Sequence, residues 1–311
     1  MKRVLITGVT GLVGDGICRY FLRDNWEVFG TSRRALESHH SNFFPLKFDL
    51  ESKDDLNVLS KHSPYQVVIH NAAKLPHGSE SDVDADCYYN CNAKGTRYLL
   101  QWAEELDISV FVYVSGTGVF NTKEGVASEE SQLEPKPNHY HVSKAMGELF
   151  CKMYGARGSL RTVILRISAP YGYAGTNTAV IPKFIEQAKC DSDLELWGNG
   201  SRSQVFTFVE DIGRACRLAA ERPAAHGVYN VAGDESTSMK ELADKVLEAV
   251  PNSESKIIFS ETKDPEAGQV QKISIGKAKK DLGFEPQFKL SAGLNKIAGD
   301  SGTAFWHLQA S

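Results

Sequence analysis

Three glycines stand at three-residue intervals near the start of the chain: Gly8, Gly11 and Gly14, behind the apolar run Val4-Leu5-Ile6. Glycine lets a backbone turn sharply and approach a ligand closely. Leu12, Val13, Ile17, Tyr20 and Phe21 then recur near helical spacing. The stretch reads as strand, glycine turn and helix start. The unpaired N–H groups and positive dipole end of such a helix suit a pyrophosphate. Gly8, Thr10, Gly11, Leu12, Val13 and Gly14 are therefore the first candidates for a dinucleotide loop, against the plain alternative of a glycine-rich turn with no ligand. A second set lies mid-chain. Ser115-Gly116-Thr117-Gly118 places two hydroxyls at the end of an apolar strand, 110–114, and Tyr140 and Lys144, four apart, share a helix face. Such a strand end is where a doubly wound sheet places its chemistry.

The elements that must position these groups follow from hydrophobic pattern. Strands are expected at 4–6, 28–31, 46–50, 66–70, 110–114 and 163–167, and helices follow the first strand, at 92–106 and from Tyr140. This alternation predicts an α/β fold with a doubly wound parallel, Rossmann-like sheet. The second strand ends in Ser32-Arg33-Arg34. No carboxylate is there for the 2′-hydroxyl of NAD, whereas Ser32 with Arg33 or Arg34 suits a 2′-phosphate. That reading favours NADP, with NAD as the alternative and a solvated basic turn as its plain competitor. Asp49, with Leu50 beside it, could accept from an adenine amino group or cap the polar stretch that follows. The small residues of Asn71-Ala72-Ala73 leave room for a ligand before Lys74, and His70 reads as structural. Beyond Pro170 the pattern loosens: a small polar loop at 174–178, helices at 181–188, 212–220 and 239–249, and short strands at 194–197, 205–209, 228–231 and 256–259. A dinucleotide-binding domain over 1–169, joined by roughly 204–224, is expected beneath a smaller mixed α/β substrate lobe of 170–203 and 225–311. From Gly299 the patterning is weak and suggests a loose tail.

Composition narrows the function. A formal charge of −4 and a pI near 6.2 argue against a nucleic-acid binder. No apolar run reaches membrane-spanning length. A core strand starting almost at Met1 argues against a signal peptide. Cys87 and Cys91 could share a helix face, but nothing nearby completes a metal set. Six scattered cysteines without a C-x-x-C pair read as reduced thiols of a cytoplasmic protein.

Taken together and in order, Gly8/Gly11/Gly14, Asn71-Ala72-Ala73, Asn92 with Gly95-Thr96, and Tyr140-x-x-x-Lys144 resemble the extended short-chain dehydrogenase/reductase family. Within it, the chain is most similar to NAD(P)-dependent nucleotide-sugar epimerases and dehydratases. Arg166 with Pro170-Tyr171-Gly172, Gly198-Asn199-Gly200 followed by Phe206 to Asp211, and Ser274 to Phe284 look like that branch's substrate-lobe and C-terminal motifs. The resemblance implies that Tyr140 is the general acid or base. Lys144 would lower its pKa from the usual value near 10 and hold the nicotinamide ribose. It implies a strand-end hydroxyl at the substrate oxygen, Ser115 ahead of Thr117. It places Asn92 on the cofactor side and Lys74, Arg166, Arg202 and Gln204 on the substrate side. Three departures stand out. Gly116 occupies the position where the family carries Ser or Thr. Gln204 stands where a diphosphate-binding arginine is common. Thr117-Gly118 replaces the acidic residues of dehydratases, which disfavours dehydration. The expected function is an NAD(P)-dependent sugar-nucleotide epimerase or reductase using Tyr/Lys-assisted hydride transfer. Its partner would be a small-molecule substrate, and the helices at 92–106 and 140–154 imply a homodimer. The alternative is a non-catalytic NADP(H)-binding sensor or scaffold of the same fold.

Overall fold

A computed structural model describes residues 2–76, 85–120, 125–173 and 179–299, and the backbone of 306–308. The polar loop expected at 174–178 lies outside the described residues. The chain opens with β1 (Arg3–Thr7), α1 (Leu12–Arg23), β2 (Glu27–Ser32), β3 (Leu36–Ser38), β4 (Phe43–Lys47), α2 (Leu56–Ser60) and β5 (Val67–His70). It continues through α3 (Ala85–Tyr88), a π-helical turn at Tyr89–Gly95, α4 (Thr96–Glu105), β6 (Val110–Gly116), α5 (His139–Arg157) and β7 (Arg161–Ile167). The remainder comprises β8 (Pro170–Tyr171), α6 (Val180–Lys189), β9 (Leu194–Trp197), β10 (Ser203–Val205), β11 (Thr207–Phe208), α7 (Val209–Glu221), β12 (Gly227–Val231), β13 (Ser236–Ser238), α8 (Met239–Ala249), β14 (Ile257–Ser260), α9 (Leu290–Gly299) and β15 (Trp306–Leu308).

Seven strands form one parallel sheet in the order β12-β7-β6-β5-β1-β2-β4. Parallel strands covered by helices on both faces must be apolar at successive positions. Val4, Leu5 and Ile6 meet that demand with no exposed surface. One face packs Val4, Ile6, Val112 and Leu165 against Ile17, Phe21 and Ile212 of α1 and α7. The other packs Leu5, Phe29, Phe111 and Ile164 against Leu99, Trp102 and Tyr154 of α4 and α5. The order reverses between β1 and β5, because the chain builds outward from β1 to β4 and then crosses to the other side. A doubly wound sheet opens its crevice at such a switch point. Thr7 and His70, paired at the two strand ends, mark that switch point.

The smaller lobe has its own core, built from Tyr171, Phe184, Leu196, Leu242 and Leu294. Its boundary differs from the sequence expectation. Residues 227–231 form the seventh strand of the main sheet beside β7, so that stretch belongs to the cofactor domain. The third sheet strand spans Phe43–Lys47, earlier than 46–50, because Phe43 fills the gap under Gly30 of β2. The tail is not wholly loose: β15 pairs antiparallel with β3, Leu308 opposite Leu36.

Candidate active site

The glycines have three separate tasks. Gly8 follows β1 with φ of 73°, a left-handed conformation that disfavours other residues, and a Cβ there would lie 2.8 Å from the Ala72 Cα. Gly14 faces inward: a Cβ would overlap the Gly8 carbonyl, so this glycine seats α1 on the loop and does not line the cleft. Gly11 caps α1 and lines the cleft, and a Cβ there would meet only the Gly8 carbonyl oxygen, at 3.6 Å. Its bareness is not required by the protein's own packing and leaves a ligand access to the helix N-terminus.

From this loop a cavity of about 770 Å³ runs across the carboxyl edge of the sheet. Its walls bring together Gly8, Thr10, Gly11, Leu12, Val13, Ser32, Arg33, Arg34, Asp49, Leu50, Asn71, Ala72, Ala73, Lys74, Ser115, Thr117, Tyr140 and Lys144. At one end the Ser32 hydroxyl accepts from the Arg34 backbone N–H at 3.2 Å, while both arginine side chains are exposed at the rim. Asp49 accepts from the Glu51 N–H at 3.0 Å and still faces the cavity. Between the ends lies a buried polar relay. The Thr7 hydroxyl accepts from the Asn71 and Ala72 N–H groups at 3.1 and 3.0 Å, so its own proton points to His70 Nδ1, 2.8 Å away. The Thr96 hydroxyl donates to the Asn92 carbonyl, so it accepts from His70 Nε2 at 2.9 Å. Both ring nitrogens are satisfied only by a neutral imidazole. Burial, helped by the Lys144 ammonium, pulls the His70 pKa down to about 3. His70 is structural, and it fixes the Asn71–Ala73 wall.

At the other end stand the chemical groups. Asn138 caps α5 and starts the helix that carries Tyr140 and Lys144. Lys144 Nζ donates to the Val114 carbonyl at 2.8 Å and lies 4.1 Å from the centre of the Tyr113 ring. Burial draws its pKa down to about 8, and burial pushes the Tyr140 phenol up to about 12. Tyr140 in this cleft is thus an acid, and its use as a base requires further positive charge close by. Ser115 is buried on the cleft wall and its Oγ has no hydrogen-bond partner. A buried hydroxyl on a cleft wall with no protein partner is open to an atom of a ligand or a water. That orphan, the bare Gly11 and the rim cations fit a dinucleotide cofactor lying from Arg33 to Ser115.

Several expected ligands are elsewhere. Asn92 does not line the cavity. It grips the Lys74 backbone, accepting at 2.7 Å and donating at 3.1 Å, and donates to Ser143 Oγ at 3.0 Å, which ties the Lys74 wall to α5. Arg166 is fully buried in an ion pair with Glu148, its Nη2 2.7 Å from Oε2 and its Nε 3.0 Å from Oε1. It cannot reach a substrate while Glu148 holds it. Arg202 pairs with Asp264 and Glu266, each at 3.2 Å, and Glu266 also takes Lys136 at 2.9 Å. Gln204 lies on β10 opposite Thr237 and does not line the cavity. Conversely, His141 lines the cleft beside Tyr140, with ring centres 4.9 Å apart. Its position next to Tyr140 was the available sequence signal. Among the described residues no cluster suits a metal ion and no helix is long and apolar enough to cross a membrane.

The model of the NAD dependent epimerase/dehydratase family matches residues 4–232. The chain is 30% identical over 303 residues to the low-salt glycan biosynthesis protein Agl12 of Haloferax volcanii, covering 94% of this chain and 96% of that protein. It is 23% identical over 310 residues to a UDP-glucuronate 4-epimerase of Thermodesulfobacterium geofontis, covering 95% of each. Among solved structures, the UDP-glucuronic acid 4-epimerase from Bacillus cereus, in complex with UDP-glucuronic acid and NAD, is similar with a TM-score of 0.83 and 24% identity. That match covers 95% of this chain and 98% of the other, and shows the shared fold.

Proposed function

The chain belongs to the NAD dependent epimerase/dehydratase family, an extended short-chain dehydrogenase/reductase, and from that premise we propose that it is an NAD(P)-dependent epimerase or reductase of a sugar nucleotide. The observation that carries this reading is the convergence of Tyr140, Lys144 and the unpartnered Ser115 hydroxyl at one end of a dinucleotide-sized cleft. The cofactor supplies hydride exchange with a sugar carbon. Tyr140 donates its proton to the carbonyl oxygen in reduction and removes the hydroxyl proton in oxidation. Lys144 supplies positive charge beneath it and a donor for a ribose hydroxyl. Ser115, or Thr117 beside it, holds the reacting oxygen in place. Lys74 borders the substrate side. The relatives that act on UDP-sugars support the substrate class.

We place NADP above NAD in this cleft. Supporting that choice, β2 ends without a carboxylate, and Arg33 and Arg34 stand exposed at the rim. The solved relative holds NAD, so the choice is tested directly by denaturing the purified protein and identifying any released dinucleotide. Met146, Leu149 and Met153 form an exposed apolar stripe on α5, which supports a homodimer through α4 and α5; sedimentation at rising concentration checks it. Six scattered cysteines without a C-x-x-C pair support a reducing compartment such as the cytoplasm.

The assignment is tested with Tyr140→Phe. Turnover of a responsive sugar nucleotide should fall at least ~100-fold with cofactor affinity retained, the range expected when a positioned acid–base group is removed. Unchanged turnover would remove Tyr140 from the chemistry, and cofactor binding by the parent protein with no turnover of any sugar nucleotide would leave the non-catalytic sensor as the better reading.

A further inference from the structure

Among the described residues, Lys144 is a buried cation without a carboxylate partner. Its ammonium has three protons to donate. One goes to the Val114 carbonyl at 2.8 Å. The Tyr113 ring faces another: its centre lies 4.1 Å from Nζ, within the range at which an aromatic face attracts a cation. With two directions taken up by the protein, the third is left to the cavity that Lys144 lines.

The other titratable groups around the ammonium give it little support. Glu148, one helical turn along α5, is engaged by Arg166 of β7 at 2.7 Å. Cys151 on α5 and Cys91 on the π-helical turn are thiols that burial keeps protonated. Tyr140 is a neutral phenol and His70 of β5 a neutral imidazole. A buried ammonium sheds its proton unless something offsets its lost hydration. At contact distance that task falls to the Val114 carbonyl and the Tyr113 ring. Tyr113 is seated for it. It lies on β6 opposite His70, fully buried, and its hydroxyl donates to the Lys144 carbonyl at 3.4 Å. Gly147, in the middle of α5, admits the ring beneath the helix: a Cβ there would fall on the Tyr113 hydroxyl and lie 2.7 Å from its Cζ. Burial drives the phenol well above its ordinary pKa, so the ring stays neutral.

We propose that Tyr113 is a positioning residue for Lys144: its ring face keeps the ammonium charged and leaves the third N–H for the ribose of the dinucleotide. This rests on the reading of the cleft as a cofactor site. Tyr113 does not line the cavity, so it acts only through Lys144. The sign is fixed. The ring favours the charged form, and losing it lowers the Lys144 pKa below its present value of about 8.

The test reads Lys144 in the full chain without cofactor. Protein grown with ε-¹³C lysine is titrated by NMR, and the Lys144 signal is the one lost in Lys144→Met. Its ε-protons should stand upfield of the exposed lysines, shielded by the ring. Tyr113→Leu should abolish that shielding and lower the midpoint by roughly 0.5–1.5 pH units, the span of a buried cation–π contact. Tyr113→Phe keeps the face and loses only the hydroxyl, so its midpoint should stay within ~0.3 units of the parent. Gly147→Ala covers a folding defect in the leucine variant: its methyl displaces the ring and should lower the midpoint as well. A parent midpoint kept in Tyr113→Leu overturns the proposal. So does an equal fall in Tyr113→Phe, which would assign the effect to the hydroxyl's hold on the helix. Calorimetry with NADPH and NADH separates this from the cofactor reading. Binding to Tyr113→Leu at pH 8 that is weakened roughly 2–15-fold, in step with the charged fraction of Lys144, supports the proposal. Binding to the parent with an unmoved midpoint removes Tyr113 alone. A parent that binds neither dinucleotide removes the cofactor reading and the role of Tyr113 together.

Discussion

Arg33 and Arg34 stand exposed at the rim of the cleft, whereas Arg166 and Arg202 are held by carboxylates from distant stretches of the chain. All four are the same residue type, and all four suit a phosphate. What separates them is what the fold brings alongside. The rim arginines follow directly from the end of β2, where the strand runs out into the cavity. Arg166 sits in β7, between two covered faces, and a buried guanidinium persists there only because Glu148 projects from α5 to meet it. Arg202 leaves the glycine turn toward Asp264 and Glu266. A motif supplies a cation; the tertiary partner decides whether that cation remains available to a ligand.

The largest effect is expected in the interior. Glu148→Ala leaves the Arg166 charge buried and unpaired, and such a loss costs about 3–5 kcal/mol. Urea unfolding of the intact protein should show it. A variant of full stability whose substrate affinity has changed would instead return Arg166 to the substrate side.

The buried His70 relay gives the next effect, and its sign is fixed. Its folded pKa of about 3 lies below the ordinary 6.5, so the unfolded chain takes the proton first. The stability tied to the neutral ring is complete above pH 6.5 and is lost as pH falls toward 3. Between pH 6.5 and pH 4 that contribution is about 3 kcal/mol for this one group. Urea titrations across that window should show the slope, and His70→Gln, which cannot titrate, should flatten it.

These two sites also show what could be read from the sequence. Much of the cleft lining was legible because its signals are local: Gly8 to Gly11, Ser32 to Arg34 and Tyr140 to Lys144 each lie within one strand end or one helix face, whereas Asn92, expected among them, holds the Lys74 wall from behind. His70 was legible as structural because it closes a strand. The substrate half was not, since Glu148 and Arg166 lie 18 residues apart and Arg202 and Glu266 lie 64 apart. No spacing rule links them. Residues 227–231 were misassigned for the same reason, as a short apolar strand does not state which sheet it joins. His141 was visible as a residue, but its place on the cleft wall against Gly118 is set by packing across a loop.

At the rim the effect should fall on binding and not on stability. The Arg33→Ala, Arg34→Ala double variant should weaken NADPH binding by ~10–100-fold, the loss expected from removing charged hydrogen bonds of about 1.5–3 kcal/mol. NADH binding and the melting temperature without cofactor should change little. Equal weakening of both cofactors would show that the arginines do not read a 2′-phosphate.

Arg202 should give the smallest effect and the sharpest discrimination. Its side chain is about one-third exposed, at 29%, and partly exposed ion pairs contribute about 0–1 kcal/mol. Arg202→Ala should therefore lower stability only within that range. The informative readout is UDP against uridine, measured by calorimetry with cofactor present. Asp264 and Glu266 already surround the guanidinium, and Glu266 is shared with Lys136, so the two cations and two anions leave no net charge for a diphosphate. Removing Arg202 should then change the preference for UDP over uridine by less than ~2-fold, because an interaction already balanced by carboxylates contributes little to a further anion. A selective loss of UDP affinity would mean that the phosphate displaces Glu266, and would move Arg202 into the same class as the rim arginines.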